Sequence, residues 1–306
     1  MRLPDFTIRF ETQSRKVAKS QWEIIKKIFA SLHLCVFALI FSSLTSAQRV
    51  AILAPDRADT SRSFAEKLET ALSEKLKIID DSLSETAYRS AAIENPFNLT
   101  TDESKRIGAV IGCEYFVLVR ASTLRRSSSQ RPEYYESNAV IYAASSRTGR
   151  LVLWRLLRFE AGKTADAAKL LDRSVESLAT QISTTLNATT KSEFVEPTAS
   201  QIEEVPDADA PEAKNFRAPV PYRRIKPEYT AEAGLYDIKA TVDILVDLDA
   251  GGTITRTEIS RWAGFGLDES VERAVRQMNW RPAERNGKTL PMRFLLRYNF
   301  KKIDKD

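Results

Sequence analysis

The stretch from 219 to 300 constrains this chain most, because its apolar residues change period twice within about eighty positions. Ile238, Ala240, Val242, Ile244, Val246 and Leu248 alternate with Lys239, Thr241, Asp243 and Asp247, and Leu245 is the one apolar residue on the polar face. A period of two marks a half-buried strand. Asp249-Ala250-Gly251-Gly252 then supplies turn chemistry, and residues 253–259 can return as the second strand of a hairpin. Leu267, Val271, Ala274, Val275 and Met278 fall on one face of a helix that has Asp268 near its start, and Pro282 stops it. After the turn at Asn286-Gly287, Met292, Phe294, Leu296, Tyr298 and Phe300 alternate with Arg293, Arg297 and Asn299 as a last strand. The order strand, strand, helix, strand predicts a small sheet with one helix packed on one face.

This stretch resembles the C-terminal domain of the TonB energy transducers. The residues that carry the resemblance are the glycine turn followed by Thr253-Ile254, the helix start Gly266-Leu267-Asp268-Glu269, and the pair Ala274-Val275. Trp280-Arg281-Pro282-Ala283, Asn286-Gly287-Lys288 and the final strand around Phe294 complete the set. The chain departs from the family at Tyr229-Thr230, where Tyr-Pro is usual. The resemblance implies a domain over 219–302 that binds a partner.

Composition sets outer limits. The 306 residues are 43% hydrophobic and 28% charged, which describes a globular chain of one or two domains. The net charge of +5 comes from interleaved Lys, Arg, Asp and Glu. A basic stripe with aromatics between is lacking, so nucleic acid is not an expected partner. Cys35 and Cys113 lie far apart in sequence and offer no disulfide framework.

The N-terminus reads as a targeting segment. Residues 1–27 are polar and net basic, 28–44 are apolar, and Thr45-Ser46-Ala47 places small residues before Gln48. Two readings stand: a signal peptide cleaved near Ala47-Gln48, or an inner-membrane anchor over 28–47. Both deliver the rest of the chain outside the cytoplasm, and the TonB resemblance implies the periplasm of a Gram-negative-type cell. TonB-family anchors carry a Ser and a His four residues apart, but here Ser31 and His33 are two apart. A proton-channel motor is therefore an expected partner only if the segment is uncleaved.

Residues 48–190 alternate strand and helix patterns. Arg49-Val50-Ala51-Ile52-Leu53 is a continuous apolar strand, and Phe64, Leu68 and Leu72 mark a helix. Residues 102–111 read as another helix with Ile107, Val110 and Ile111 inward, which Gly112 ends, and 115–120 is a buried strand. Residues 120–133 are polar and rich in Ser and Arg, which predicts a loop. Residues 137–144 and 150–159 form a hairpin about Arg147-Thr148-Gly149, and Leu171, Val175, Leu178, Ile182 and Leu186 define one last long helix. This is an α/β layer pattern, and with the C-terminal domain the fold class is α+β. The stretch is similar to the N-terminal domain of the TolB family and related envelope lipoproteins, through the opening strand, the joint Gly112-Cys113-Glu114-Tyr115 and Thr148-Gly149-Arg150-Leu151. That similarity implies a protein-binding scaffold. Residues 191–218, with Pro197, Pro206, Pro211 and several acidic residues, read as an acidic linker that could reach on the order of 90–100 Å if fully extended.

Catalytic patterns fail one by one. His33 is the only histidine, so Cys113 has no His partner and metal sites lack ligands. Gly162-Lys163-Thr164 and Gly287-Lys288-Thr289 imitate a phosphate loop, but Leu157 and Pro282 stand where its first glycine belongs. Asp243, Asp247 and Asp249 read as a solvated strand face and turn. No cofactor is expected and the chain does not read as an enzyme.

What remains is binding at the last strand. A sheet edge offers unpaired N–H and C=O groups to an extended peptide, as the TonB resemblance also implies. The expected site is Met292, Arg293, Phe294, Leu295, Leu296, Arg297, Tyr298 and Asn299, with Tyr229 added by the resemblance. Outward Arg293, Leu295 and Arg297 would set selectivity, the arginines favouring an acidic peptide. The expected partner is a TonB-dependent outer-membrane receptor segment. The alternative is a periplasmic adaptor that uses the same fold to bind a protein or peptidoglycan.

Overall fold

A computed structural model describes residues 48–193, 202–207 and 209–302. The expected leader or anchor over 1–47 and part of the linker lie outside the described residues. Among the described residues no helix is long and apolar enough to cross a membrane.

The first sheet holds five strands: β1 (Arg49–Leu53), β2 (Lys77–Ile78), β3 (Tyr115–Arg126), β4 (Tyr134–Ser145) and β5 (Leu151–Ala161), in the order β2-β1-β3-β4-β5. β1 runs parallel to β2 and β3, while β3, β4 and β5 form an antiparallel meander. Five helices accompany it: α1 (Asp59–Ser73), α2 (Asp81–Ser90), α3 (Thr101–Ile111), α4 (Thr164–Arg173) and α5 (Val175–Glu193). Alternate residues of the central strands enter two different cores. Val50, Ile52, Val117, Val119 and Ile141 meet Phe64, Leu68 and Leu72 of α1 and Leu178, Ile182 and Leu186 of α5. Leu53, Phe116, Leu118, Val140 and Tyr142 face the other way, towards Leu99 and Ile107. Burial on both faces is why these strands read as unbroken apolar runs.

Three expectations need correction. The polar stretch 120–133 is mostly strand: β3 continues to Arg126, paired with Tyr134. Its hydroxyls and charges bond across the hairpin, Ser122 to Asn138 at 3.1 Å and Thr123 to Ser137 at 2.8 Å, so polarity there reflects a ribbon held by cross-strand pairs. Val110 points outward, 41% exposed, because α3 presents only Ser104, Ile107 and Gly108 as its buried side. The last long helix is two helices, α4 and α5, meeting at Ser174.

The C-terminal part follows the predicted order. β8 (Ala240–Leu248), β9 (Ile254–Arg261) and β13 (Met292–Phe300) form an antiparallel sheet in the order β13-β8-β9, covered on one face by α7 (Leu267–Arg276). Val242, Ile244, Val246 and Leu248 are fully buried beneath Leu267, Val271 and Val275, as the period-two and helical patterns require. Short strands β6 (Phe216–Arg217) and β7 (Val220–Pro221) bring the incoming chain onto β11 (Ala283–Arg285) and β10 (Trp280–Arg281), and β11 turns at Asn286-Gly287 into β12 (Lys288–Leu290). A short helix, α6 (Ala231–Leu235), precedes β8.

The described residues gather into one compact unit, and the reason is the loop after β9. Trp262, Ala263 and Phe265 enter the same core as Tyr142, Leu118 and Phe116 of the first sheet. The Trp262 ring stacks on Tyr142 at 5.4 Å, and Phe265 meets Trp154 at 5.1 Å. Gly264, Phe265 and Gly266 all take positive φ, which lays the loop flat enough to fit. A Cβ on Gly264 would lie 2.4 Å from Trp154. The clasp is completed by Asn98, whose amide donates to Thr241 and Trp262 carbonyls at 2.8 Å each while its oxygen accepts from the Thr241 N–H at 2.9 Å. Arg261 donates to the Asn98 carbonyl at 3.0 Å.

Candidate functional site

β13 pairs along its whole length with β8, residue for residue from Met292 opposite Leu248 to Phe300 opposite Ala240. Its other side is the edge of the sheet. Arg293 uses its N–H and C=O on that outer side, bonding Glu203 O at 2.8 Å and Val205 N at 3.0 Å. In an antiparallel strand the direction alternates, so Leu295, Arg297 and Asn299 also turn both backbone groups outward. Among the described residues no hydrogen bond closes those outward groups.

Beside this edge runs a groove of about 590 Å³. Its floor is apolar: Met278, Trp280, Phe294, Leu296 and Tyr298. Its far wall is the segment 218–227, including Val220, Ile225 and Pro227. Trp280 and Phe294 rings lie 4.9 Å apart and fix the floor. The volume falls in the range of ordinary binding clefts. Val220 is 41% exposed and Leu295 50%, so apolar surface lines both lips. Arg224 and Lys226 stand on the wall, and among the described residues no ion pair holds them.

The two expected selectivity arginines are already bound within the sheet. Arg293 grips Asp247 with two bonds of 2.7 and 2.8 Å, and Arg297 grips Asp243 at 2.7 and 2.9 Å. These bonds raise both guanidinium pKa values, chiefly through the carboxylate each one touches. Asp243 also takes Arg261 at 3.3 Å. Both carboxylates are 3% exposed, so the face read as solvated from sequence is instead roofed by arginine. The cations not neutralised at the groove are Arg224 and Lys226.

The remaining expected residues divide. Phe294, Leu295, Leu296 and Tyr298 line the groove, and burial raises the Tyr298 hydroxyl. Met292 is wholly buried, and Asn299 accepts a bond from the Thr241 hydroxyl at 2.8 Å. Tyr229 does not line the groove. Its hydroxyl donates to the Ala233 and Ile238 carbonyls at 3.0 and 2.8 Å, and its ring stacks on Phe300 at 6.4 Å, a latch under the start of β8. Thr230, which replaces the usual proline, caps α6 by accepting from Ala233 N at 3.1 Å and donates to Phe265 O at 2.6 Å. The wall residues Val220, Arg224 and Ile225 were missed; the Pro-rich, basic 219–227 stretch was the available signal.

Elsewhere, Cys113 is buried against Ser146 at 3.5 Å, and burial raises its thiol. Among the described residues no group of three His, Cys, Asp or Glu could hold a metal ion.

A three-stranded antiparallel sheet, one covering helix and an open last strand beside an apolar groove define a small α+β domain. Residues 225–301 match the family model of the Gram-negative bacterial TonB protein C-terminal, and this part of the chain is a TonB-type C-terminal domain. No curated protein matches the chain. Among solved structures, the TonB C-terminal domain of Pseudomonas aeruginosa is 19% identical at a TM-score of 0.26, covering 35% of this chain and 99% of that one. The hypothetical protein CT253 of Chlamydia trachomatis is 12% identical at 0.32, covering 46% and 99%. The lipoprotein GNA1162 of Neisseria meningitidis is 12% identical at 0.32, covering 45% and 99%.

Proposed function

We propose that this is an exported envelope protein whose TonB-type domain docks an extended segment of an outer-membrane receptor or transport component along the outer edge of β13. The observation that carries this reading is the run of outward backbone groups at Leu295, Arg297 and Asn299 beside the apolar groove. Main-chain bonds supply affinity there, and alternate side chains of the guest enter the groove. The protein acts by binding, not by turnover. Export rests on the N-terminal pattern of residues 1–47. The α/β part, residues 48–190, serves as a TolB-like scaffold.

A second reading, a periplasmic adaptor, is favoured by one observation. The Trp262 and Phe265 clasp fixes the TonB-type domain onto the first sheet, and residues 216–217 and 220–221 are themselves paired into the C-terminal part. The end of the connector, at Phe216–Arg217, is thus part of the domain and not free spacer.

Leu295→Pro tests the docking edge. Proline removes one outward N–H without touching the bonds to β8. The expected outcome is an unchanged melting temperature with at least tenfold weaker binding of a synthetic receptor plug-side peptide. Unchanged binding in a folded variant refutes the edge. Mass spectrometry of the mature N-terminus separates the readings: a chain beginning at Gln48 removes any direct link to an inner-membrane motor.

A further inference from the structure

The open edge is not wholly open. Residue Glu204 forms a parallel bridge with Arg293, closed by Arg293 N–H to Glu203 O and Val205 N–H to Arg293 O. The Glu203 carboxylate meets Arg285 at 2.5 Å, and Val205 lines the mouth of the groove. Pro206 follows, Ala210 N–H bonds back to Asp207 O at 3.0 Å, and among the described residues this is the single rung the segment makes with β13. Further on the same segment is tied down again, with β6 on β11, the Arg285 guanidinium 5.4 Å from the Phe216 ring, and Asn286 N–H to Asn215 O at 3.1 Å.

We propose that residues 203–205 are a built-in competitor for the docking edge, holding its first rung so that a strand spanning the whole of β13 has to displace them. This rests on the docking-edge reading. The segment has the chemistry of a strand guest: a backbone that bonds the strand through one rung, an aliphatic side chain at the groove, and an acidic residue paired with Arg285. It is weakly held. Glu203 and Glu204 are exposed, and no large apolar side chain is buried with them. Tethered on the same chain, even a weak competitor acts at an effective concentration on the order of millimolar. The anchors at β6 and β7 survive its release, so displacement frees the first rung without unfolding the domain.

The test uses the full chain and a fluorescein-labelled peptide of sequence SQIEEVPD, the chain's own residues 200–207. Hydrogen exchange reads the rung directly: the Arg293 amide is expected to be protected and the Leu295 amide, which also points outward, to exchange freely. Val205→Pro with Glu203→Ala removes the donor and the ion pair from a segment outside the core. It is expected to abolish Arg293 protection and to strengthen peptide binding about tenfold, the scale of one or two net hydrogen bonds. An Arg293 amide that exchanges as fast as Leu295 in the unaltered chain overturns the proposal and leaves strand addition untouched. Loss of protection with no gain in peptide affinity overturns the competition. Peptide binding absent from both chains, with Arg293 protected, refutes the docking edge itself and the competition with it.

Discussion

Gly264→Ala probes the joint that makes the chain one unit. The new Cβ would sit 2.4 Å from Cδ1 and Nε1 of Trp154 and 2.9 Å from Cε1 of Tyr142. Neither ring can retreat freely, because Trp154 meets Phe265 and Tyr142 is stacked on Trp262 and only 2% exposed. Two costs add. Holding alanine at φ +71° costs about 1–2 kcal/mol, and overpacking a filled core costs about 1–3 kcal/mol. The sum is about 2–5 kcal/mol. For a unit of this size each kcal/mol lowers Tm by about 2–4 °C, so the expected fall is about 4–20 °C. Heat and urea melts followed by circular dichroism and tryptophan fluorescence measure it. Trp154→Ala provides the control. With the indole gone, the backbone strain of about 1–2 kcal/mol and the 2.9 Å approach to Tyr142 remain, so Gly264→Ala should cost less than in the unaltered chain. An equal cost in both backgrounds, or a fall below about 2 °C in the unaltered one, would show that the loop does not press on the first sheet.

Three further outcomes follow from particular side chains. Arg293→Ala strands Asp247, whose side chain is 4% exposed, and should cost about 3–5 kcal/mol, whereas Arg297→Ala removes a half-exposed partner from an Asp243 that keeps Arg261 and should cost about 1 kcal/mol or less; urea midpoints that rank the two the other way refute the roofed-carboxylate account. Burial pushes the Asp268 carboxyl up to about 7, against the pull of its bonds from the Gly264 and Ala263 N–H groups. An acid with a raised folded pKa gives stability that is full below its unfolded value near 3.8 and is lost as pH rises through about 7, so Asp268→Asn should flatten the fall in urea midpoint between pH 4 and 7; parallel curves for the two proteins would sink the assignment. Thr230→Pro restores the usual family residue at a φ of −66° that proline tolerates, yet it deletes the cap on Ala233 and the bond to Phe265, and should lower stability by about 1–2 kcal/mol in a thermal melt rather than raise it.

Parts of this structure were legible because they depend on neighbours close in sequence. Alternation at 240–248 and 292–300 fixed two strands, and the helical spacing of Leu267, Val271 and Val275 placed α7 over them. The Asn286-Gly287 turn is likewise local chemistry. The ribbon at 120–126 was misread because its side chains are satisfied by partners across the hairpin, and polarity alone does not show a partner. Arg293 and Arg297 were assigned outward for the same reason. Their positions on the strand were right, but the carboxylates that hold them come from β8, about fifty residues away in sequence.

The sequence by itself therefore determined the elements, their order in the C-terminal domain and the strand that forms its edge, since period and turn chemistry act over a few residues. Only the tertiary structure decided what that edge meets. Trp262 and Phe265 carry no periodic signal, yet they join the two parts because a distant sheet leaves Tyr142 and Trp154 to be covered. Residues 203–205 look like linker in sequence, yet they close one rung of β13 because the chain's path returns them to Arg293. Burial and pairing between distant segments depend on that path, and no local pattern encodes it.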